Sequence, residues 1–282
     1  MILEKVIKQA SKTLKNHNIH SHELDAQLIL SDIMKVKRES LITNNEVVIS
    51  EKIMEKYDIA IRRRIKREPV AYITGKKEFW SENFTVNHAT LVPRPETELL
   101  IYKVINFFKN KRINILDIGT GTGCILLSIL KELSFSRGTG IDILAKAIKT
   151  AKLNSKNLNL LNRSKFKICD LNKYNTGKYD LIVSNPPYIA SKDIKNLSKD
   201  IINYEPKIAL NGGIDGLDLI KKVIYISDRL LKRNGLLALE IGFNQYQKVS
   251  SILRNCRFRE ITRECDYNRN VRCIISTKIG FF

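Results

Sequence analysis

Asn185, Pro186, Pro187 and Tyr188 stand together directly after an apolar run, residues 179–184. That run predicts a buried strand. A polar amide, two prolines and an aromatic ring cannot continue a sheet, so the strand ends there. In an open α/β sheet, ligands bind outside the carboxyl ends of the strands. The stiff turn would hold an amide oxygen, a backbone carbonyl and a ring face close together. Such a cradle suits a planar, uncharged NH2 group: two acceptors take its two protons and the ring covers its face. A side-chain amide and the amino group of adenine both fit. Taken alone, the four residues fit an ordinary proline-rich turn equally well.

A second constellation lies upstream. Leu116-Asp117-Ile118-Gly119-Thr120-Gly121-Thr122-Gly123 sits where a strand meets a helix. Glycine allows positive φ and close approach of a ligand to the backbone. The helix that follows offers free N–H groups and a partial positive charge, which suit an anion. The third glycine of a dinucleotide fingerprint would fall at position 124, where this chain has Cys124. A nicotinamide or flavin site therefore matches poorly. The carboxylate of S-adenosylmethionine fits the loop equally well. Asp142 ends the next expected strand, where a carboxylate can accept both hydroxyls of a ribose. Asp170 ends the third, placed to meet an adenine edge, with Leu171 packing on the ring. One aspartate at a strand end is commonly a loop cap. Three acidic residues at successive strand ends around a glycine loop point to a nucleoside-type cofactor.

The elements that must position these residues follow from periodicity. Residues 1–67 predict a small helical bundle: Ile2, Leu3, Val6, Ile7, Ala10 and Leu14 form one stripe. Ser21 is the expected cap of a helix carrying Leu24, Leu28 and Ile29. Ser50 is the expected cap of another with Ile53, Tyr57, Ile61 and Ile65 on one face. Residues 68–92 read as a hairpin linker, with short strands at Val70–Gly75, Phe79–Trp80 and Phe84–Val86 around Gly75. From residue 93 a helix through Leu99, Leu100, Val104 and Phe107 leads into alternating strands and helices. Shorter runs near Phe258 and at residues 271–276 read as an antiparallel pair that closes the sheet. Such alternation predicts an α/β domain over 93–282, a mainly parallel sheet with helices on both faces.

Composition sets the limits. The hydrophobic share of 43% is enough for a real core. No apolar stretch is long enough to predict a membrane span, and the first residues lack a signal-peptide pattern. Five scattered cysteines without a Cys-x-x-Cys pair predict reduced thiols in the cytoplasm. His17, His20 and His22 have no cysteine beside them, so no metal site is expected. The net charge of +20 favours a polyanion or a partner that lives on one, but the excess is diffuse. Its one dense cluster is Arg62, Arg63, Arg64, Lys66 and Arg67. This reads either as a docking patch for an acidic partner face or as a solvated helix end.

The glycine loop, Asp142 and Asn185–Tyr188 in this order resemble the S-adenosylmethionine-dependent methyltransferases that modify planar nitrogen. With Pro93-Arg94-Pro95-Glu96-Thr97-Glu98, Glu68-Pro69-Val70-Ala71-Tyr72 and Tyr204–Leu210, the chain resembles the HemK/PrmC family over nearly its whole length. The resemblance implies a Rossmann-like methyltransferase domain with S-adenosylmethionine held by Gly119, Thr120, Gly121, Thr122, Gly123, Asp142, Leu171 and Asn185. Leu171 departs from the family, where an aromatic ring often meets adenine. The resemblance also implies an acceptor site at Asn185, Pro186, Pro187 and Tyr188, with Asn185, Pro186 and Tyr188 catalytic. The implied substrate is the glutamine of the Gly-Gly-Gln motif in class I peptide release factors. No direct nucleic-acid substrate and a monomeric state are expected. Arg94, Glu96 and Glu98 are expected to be chiefly structural. The competing readings are an adenine methyltransferase and a non-catalytic docking module.

Overall fold

The structure, a computed structural model, describes residues 2–43 and 47–279. It divides into two compact units. The first comprises Met1–Lys76 with Ser198–Tyr204, the second Lys77–Leu197 with Glu205–Phe282. The helical unit thus extends past residue 67 and takes in a segment from the second half of the chain.

In the first unit, five helices follow one another: α1 (Leu3–Asn16), α2 (His22–Met34), α3 (Arg38–Thr43), α4 (Glu51–Ile65) and α5 (Val70–Thr74). Leu3, Val6, Ala10 and Leu14 form the buried stripe of α1 at the expected spacing. On α2 the expected stripe is displaced. Leu24 and Leu28 stay exposed, while Ala26, Ile29 and Leu30 are fully buried. The physical reason is Asp25, which turns inward to meet Arg64. The Arg64 guanidinium donates from Nε to Asp25 Oδ2 and from Nη1 to Asp200 Oδ2, each at 2.7 Å. Asp200 lies on the helix Lys199–Tyr204 of the same unit. Arg63 forms a fork with Glu68, and Arg67 donates to the His17 carbonyl. Three cations of the basic cluster are therefore engaged inside the unit. Ser21 and Ser50 occupy the N-cap positions of α2 and α4 without side-chain cap bonds; Ser21 instead donates to Asp25.

The strand expected at Val70–Gly75 is the helix α5. Pro69 precedes its first turn and Gly75, at φ 73°, terminates it in the left-handed region. The hairpin lies just beyond, as β1 (Lys76–Phe79) and β2 (Glu82–Thr85). It turns on Trp80 and Ser81, both at positive φ, as a tight two-residue hairpin requires. Phe79 and Phe84 then meet edge to face with centroids 6.0 Å apart.

The second unit continues with α6 (Thr97–Phe108), β3 (Asn114–Ile118), α7 (Cys124–Glu132), β4 (Arg137–Asp142), α8 (Ala145–Asn157), β5 (Ser164–Ile168) and β6 (Tyr179–Ser184). The helix of the first unit at Lys199–Tyr204 is α9 in chain order. There follow α10 (Asp218–Leu230), β7 (Leu231–Glu240), α11 (Tyr246–Asn255), β8 (Phe258–Cys265) and β9 (Val271–Lys278). The seven-stranded sheet has the order β5-β4-β3-β6-β7-β9-β8. Its first five strands are parallel; β9 runs antiparallel to β7, and β8 to β9. This is the expected Rossmann-like α/β architecture, including the closing antiparallel pair.

Strand periodicity feeds two apolar layers. Ile115, Leu181, Val183, Leu236 and Ala238 face one side, packed with α6 and α7. Leu116, Ile182, Leu237 and Leu239 face the other, against α10 and α11. The chain runs outward from β3 to β4 and β5, then returns to β6 on the other side of β3. The β3–β6 boundary is therefore the switch point, where the strand ends diverge and a crevice opens.

Candidate active site

The crevice is a cavity of about 320 Å³, within the range of small-molecule sites. The ends of β3, β4 and β6 supply its chemistry. After β3 the chain turns through Gly119, Thr120 and Gly121. The Gly119 and Thr120 amides both donate to the Ile141 carbonyl of β4, at 2.9 and 3.0 Å. Gly119 has φ 72°, and a Cβ built there meets no protein atom within 4 Å because the position faces the cavity. Gly123 serves a different purpose. It starts α7 at φ 80°, and a Cβ there would come within 3.3 Å of Ala151 on α8. Asn154 of α8 ties the loop to the hairpin, donating to the carbonyls of Thr122 and Thr85 and accepting from the Thr85 amide.

Two carboxylates shape this end. Asp117 is buried beneath the loop and accepts from Thr120 Oγ1 at 2.6 Å, while its Oδ1 has no hydrogen-bond partner among the described residues. Burial pushes its carboxyl up to about 7, against the Thr120 bond. Asp142 opens on the cavity and accepts the Gly121 amide on Oδ2 and the Leu144 amide on Oδ1, at 3.0 and 2.9 Å. A carboxylate has about four acceptor positions, so two remain for a ligand. Burial raises the Asp142 carboxyl above its ordinary value, and the backbone amides oppose that rise.

Apolar walls complete the nucleoside-like end. Leu171 reaches the cavity but is 92% covered by the core, which leaves only an edge for a ring. Ile143, the residue after Asp142, is 53% exposed and lines the same space. Asp170 also lines it, yet its Oδ1 caps the following turn by accepting from the Asn172 amide.

At the other end stand Asn185 and Pro187, which line the cavity. Pro186 is buried. Pro186, Tyr188 and Gly123 do not line the cavity. The Tyr188 ring lies beside the Arg272 guanidinium, 5.7 Å from the ring centroid, and its carbonyl accepts from Gln245 Nε2 at 2.8 Å. Burial and the nearby Glu240 push its phenol up to about 12. Asn185 Nδ2 donates to Thr97 Oγ1 at 3.2 Å, and Thr97 Oγ1 donates to Glu240 Oε2 at 2.6 Å. Arg94 lines the cavity and pairs with Glu205 at 2.5 Å, which also accepts the Val92 amide. Glu98 accepts the Trp80 amide. Arg94 and Glu98 of the 93–98 segment thus make contacts that hold structure, Arg94 while also lining the cavity, and Thr97 touches the cradle itself.

Two domain models match the sequence: the PrmC N-terminal domain over residues 5–75 and the methyltransferase small domain over residues 95–214. The release factor glutamine methyltransferase of Clostridium acetobutylicum is 38% identical, covering 99% of this chain and 100% of that protein. That of Caulobacter vibrioides is 34% identical, covering 99% and 97%. The chain belongs to the release factor glutamine methyltransferase family. Its fold is that of a methyltransferase, shared with the hMettl16 catalytic domain at a TM-score of 0.58 and 15% identity, over 82% of this chain and 83% of that one. A Pyrococcus furiosus methyltransferase aligns at a TM-score of 0.52 and 15% identity, over 69% and 88%. The family's cofactor is S-adenosylmethionine. The residues present fit it: an open position at Gly119, an acidic side chain with spare acceptors at Asp142, and apolar cover from Ile143 and Leu171.

Sequence reasoning missed four participants in this family site. Ile143 was visible as an apolar residue just past the strand-ending aspartate. Asn154 and Glu240 carry no local signal, because their partners lie far away in sequence. Thr97 sits inside a noticed motif but was hidden among charged neighbours. Among the described residues, no cluster of His, Cys, Asp or Glu is placed to hold a metal, and no helix is long and apolar enough to cross a membrane.

Proposed function

We propose that the chain transfers a methyl group from S-adenosylmethionine to a glutamine side-chain amide nitrogen. The glutamine is that of the Gly-Gly-Gln motif in class I peptide release factors. The carrying observation is that Asn185 and Pro187 open on the same cavity as Asp142 and the glycine loop, in a chain matched end to end by release factor glutamine methyltransferases. When bound, the cofactor supplies an electrophilic methyl group on a sulfonium. Gly119, Thr120, Gly121, Thr122 and the start of α7 would hold its amino-acid end. Asp142 would accept its ribose hydroxyls, and Ile143 with Leu171 would cover its base.

In this reading Asn185 Oδ1 accepts one proton of the substrate amide, and the second is assigned to the carbonyl of Pro186, which is buried beside the cavity between the lining residues Asn185 and Pro187. Pro187 lines the approach, and Tyr188 stiffens the turn from behind, held by Arg272 and Gln245. No histidine lies beyond His88, so the catalytic half has no imidazole base. A general base is worth about 10² to 10⁴ in rate. Orientation alone can supply about 7 to 11 kcal/mol of the barrier, which exceeds that loss. The amide proton leaves to water. The enzyme acts as a cytoplasmic monomer on a protein rather than on nucleic acid.

Labelled S-adenosylmethionine tests this with three acceptors: a release factor, its Gln→Ala loop variant and adenine-containing DNA. Label on the wild-type release factor alone supports the reading. Label on DNA alone overturns it in favour of an adenine methyltransferase.

A further inference from the structure

The Asn185 amide can be turned two ways about its last side-chain bond, and the two ways offer opposite chemistry to the cavity. With Oδ1 outward it accepts a proton from a substrate NH2. With Nδ2 outward it repels that NH2 and would instead welcome a carbonyl or carboxylate oxygen. The choice falls to its neighbours. Thr97 Oγ1 lies 3.2 Å from Asn185 Nδ2 and 2.6 Å from Glu240 Oε2. Thr97 carries one hydroxyl proton. An ionised carboxylate can only accept, so that proton goes to Glu240. The Thr97 oxygen can then only accept from Asn185, which must present its NH2 inward and its Oδ1 outward. Thr97 and Glu240 are 2% and 1% exposed, so water does not compete for either bond.

We propose that Thr97 and Glu240 are positioning residues that lock the Asn185 amide with its oxygen toward the acceptor, making the site select an NH2 group over an oxygen. The inference rests on the acceptor reading given above and adds its specificity device. A glutamine is accepted, and a glutamate in its place meets a like-polarity oxygen.

The lock has a release. A proton on Glu240 lets the acid donate to Thr97 Oγ1. The Thr97 hydroxyl, keeping its proton, is then free to donate to Asn185 Oδ1, and the amide turns over. Burial pushes Glu240 up to about 7, opposed by the Thr97 bond, Arg272 and Asn185. The charged and titratable groups facing it are Arg272 and Cys273 on β9, Glu96 just before α6, Cys124 at the head of α7, and Tyr188. Arg272 favours its charged form and Glu96 opposes it. Cys124 and Tyr188 are each pushed up to about 12 and Cys273 is raised as well, so all three stay neutral where Glu240 titrates.

The test compares Thr97→Val, Thr97→Ser and Glu240→Gln with the wild type. Thr97→Val keeps the shape and removes the hydroxyl, so kcat should fall about 10- to 100-fold, the scale of one buried hydrogen bond to a charged group. Cofactor affinity, measured by calorimetry, should stay unchanged. Thr97→Ser should recover to within about threefold of wild type. In the wild type kcat should rise with pH through a midpoint near that of Glu240, and Glu240→Gln should flatten this profile. A second readout needs no turnover: the side-chain amide resonance of Asn185 in the cofactor-free protein, assigned by its loss in Asn185→Ser. It should shift with pH in the wild type and stay flat in Glu240→Gln. Equal kcat in Thr97→Val and wild type, or a wild-type amide resonance indifferent to pH, overturns the proposal. Should Thr97→Val fail to fold, the amide titration decides alone. A wild type that leaves the release factor unlabelled removes the acceptor reading, while the amide titration still judges the lock.

Discussion

Replacing Asp142 with asparagine tests the cofactor end of the site most directly. Each Asp142 oxygen already accepts one backbone amide, from Gly121 and Leu144, and each keeps one acceptor position toward the cavity. Two ribose hydroxyls donating to a carboxylate are worth about 1.5 to 3 kcal/mol each. The asparagine oxygen retains one neutral bond of about 0.5 to 1.5 kcal/mol. The net loss is about 2.5 to 4.5 kcal/mol, so Kd for the cofactor should rise about 60- to 2000-fold. Folding should suffer less. One of the two amide bonds is lost, at about 1 kcal/mol, and the cost of burying a charge disappears with it. The melting point should therefore fall by no more than about 2 to 4 °C. Calorimetric titration with S-adenosylhomocysteine measures the first quantity and a thermal melt the second. An affinity within threefold of wild type, in a protein that melts normally, would refute the assignment of Asp142 to the ribose.

Two further outcomes follow from buried charge. Arg64→Ala leaves Asp25 and Asp200 facing each other without their shared cation and should cost about 3 to 5 kcal/mol, seen as an earlier urea transition of the full chain; an unmoved midpoint would contradict the triad. Asp117 and Glu240 both have carboxyls raised by burial to about 7, so the folded state holds their protons more tightly than the unfolded chain does. Their contribution is fully present below about pH 4 and is lost as pH rises through 7. Melting curves taken across that window should show a shallower decline in Glu240→Gln than in wild type, and parallel declines would count against the shift at Glu240.

The architecture was legible wherever a local period carried it. Ile115 and Leu116, or Val183 and Ile182, point to opposite faces because strand geometry requires it, and the alternation survives in the sequence. Val70–Thr74 misled because Val, Tyr, Ile and Thr all favour strands. The better signal was its punctuation, Pro69 before and Gly75 after. Helix α11 was missed although Tyr246, Val249, Ser250 and Leu253 share helical spacing. The glycine loop, Asp142 and Asn185 could be named because each ends its own strand. What holds them could not: Thr97 and Glu240 meet across 143 residues of chain, and Arg64 reaches Asp200 across 136. Such pairs exist only once the sheet is assembled. The basic cluster shows the converse, since Arg63 and Arg64 look like a surface patch until their carboxylates are seen.

The excursion of Ser198–Tyr204 into the helical unit has a consequence for how this protein can be taken apart. Leu197 and Glu205, on either side of it, belong to the second unit, so the polypeptide crosses between the units three times. A cut after Lys76 severs one crossing and leaves α9 stranded without the bundle whose Arg64 it answers. The N-terminal helices are therefore not an exchangeable adaptor that a gene fusion could replace, because the helix that pairs with their Arg64 is encoded just downstream of the acceptor cradle. Any grafted bundle would have to bring a new Lys199–Tyr204 with it.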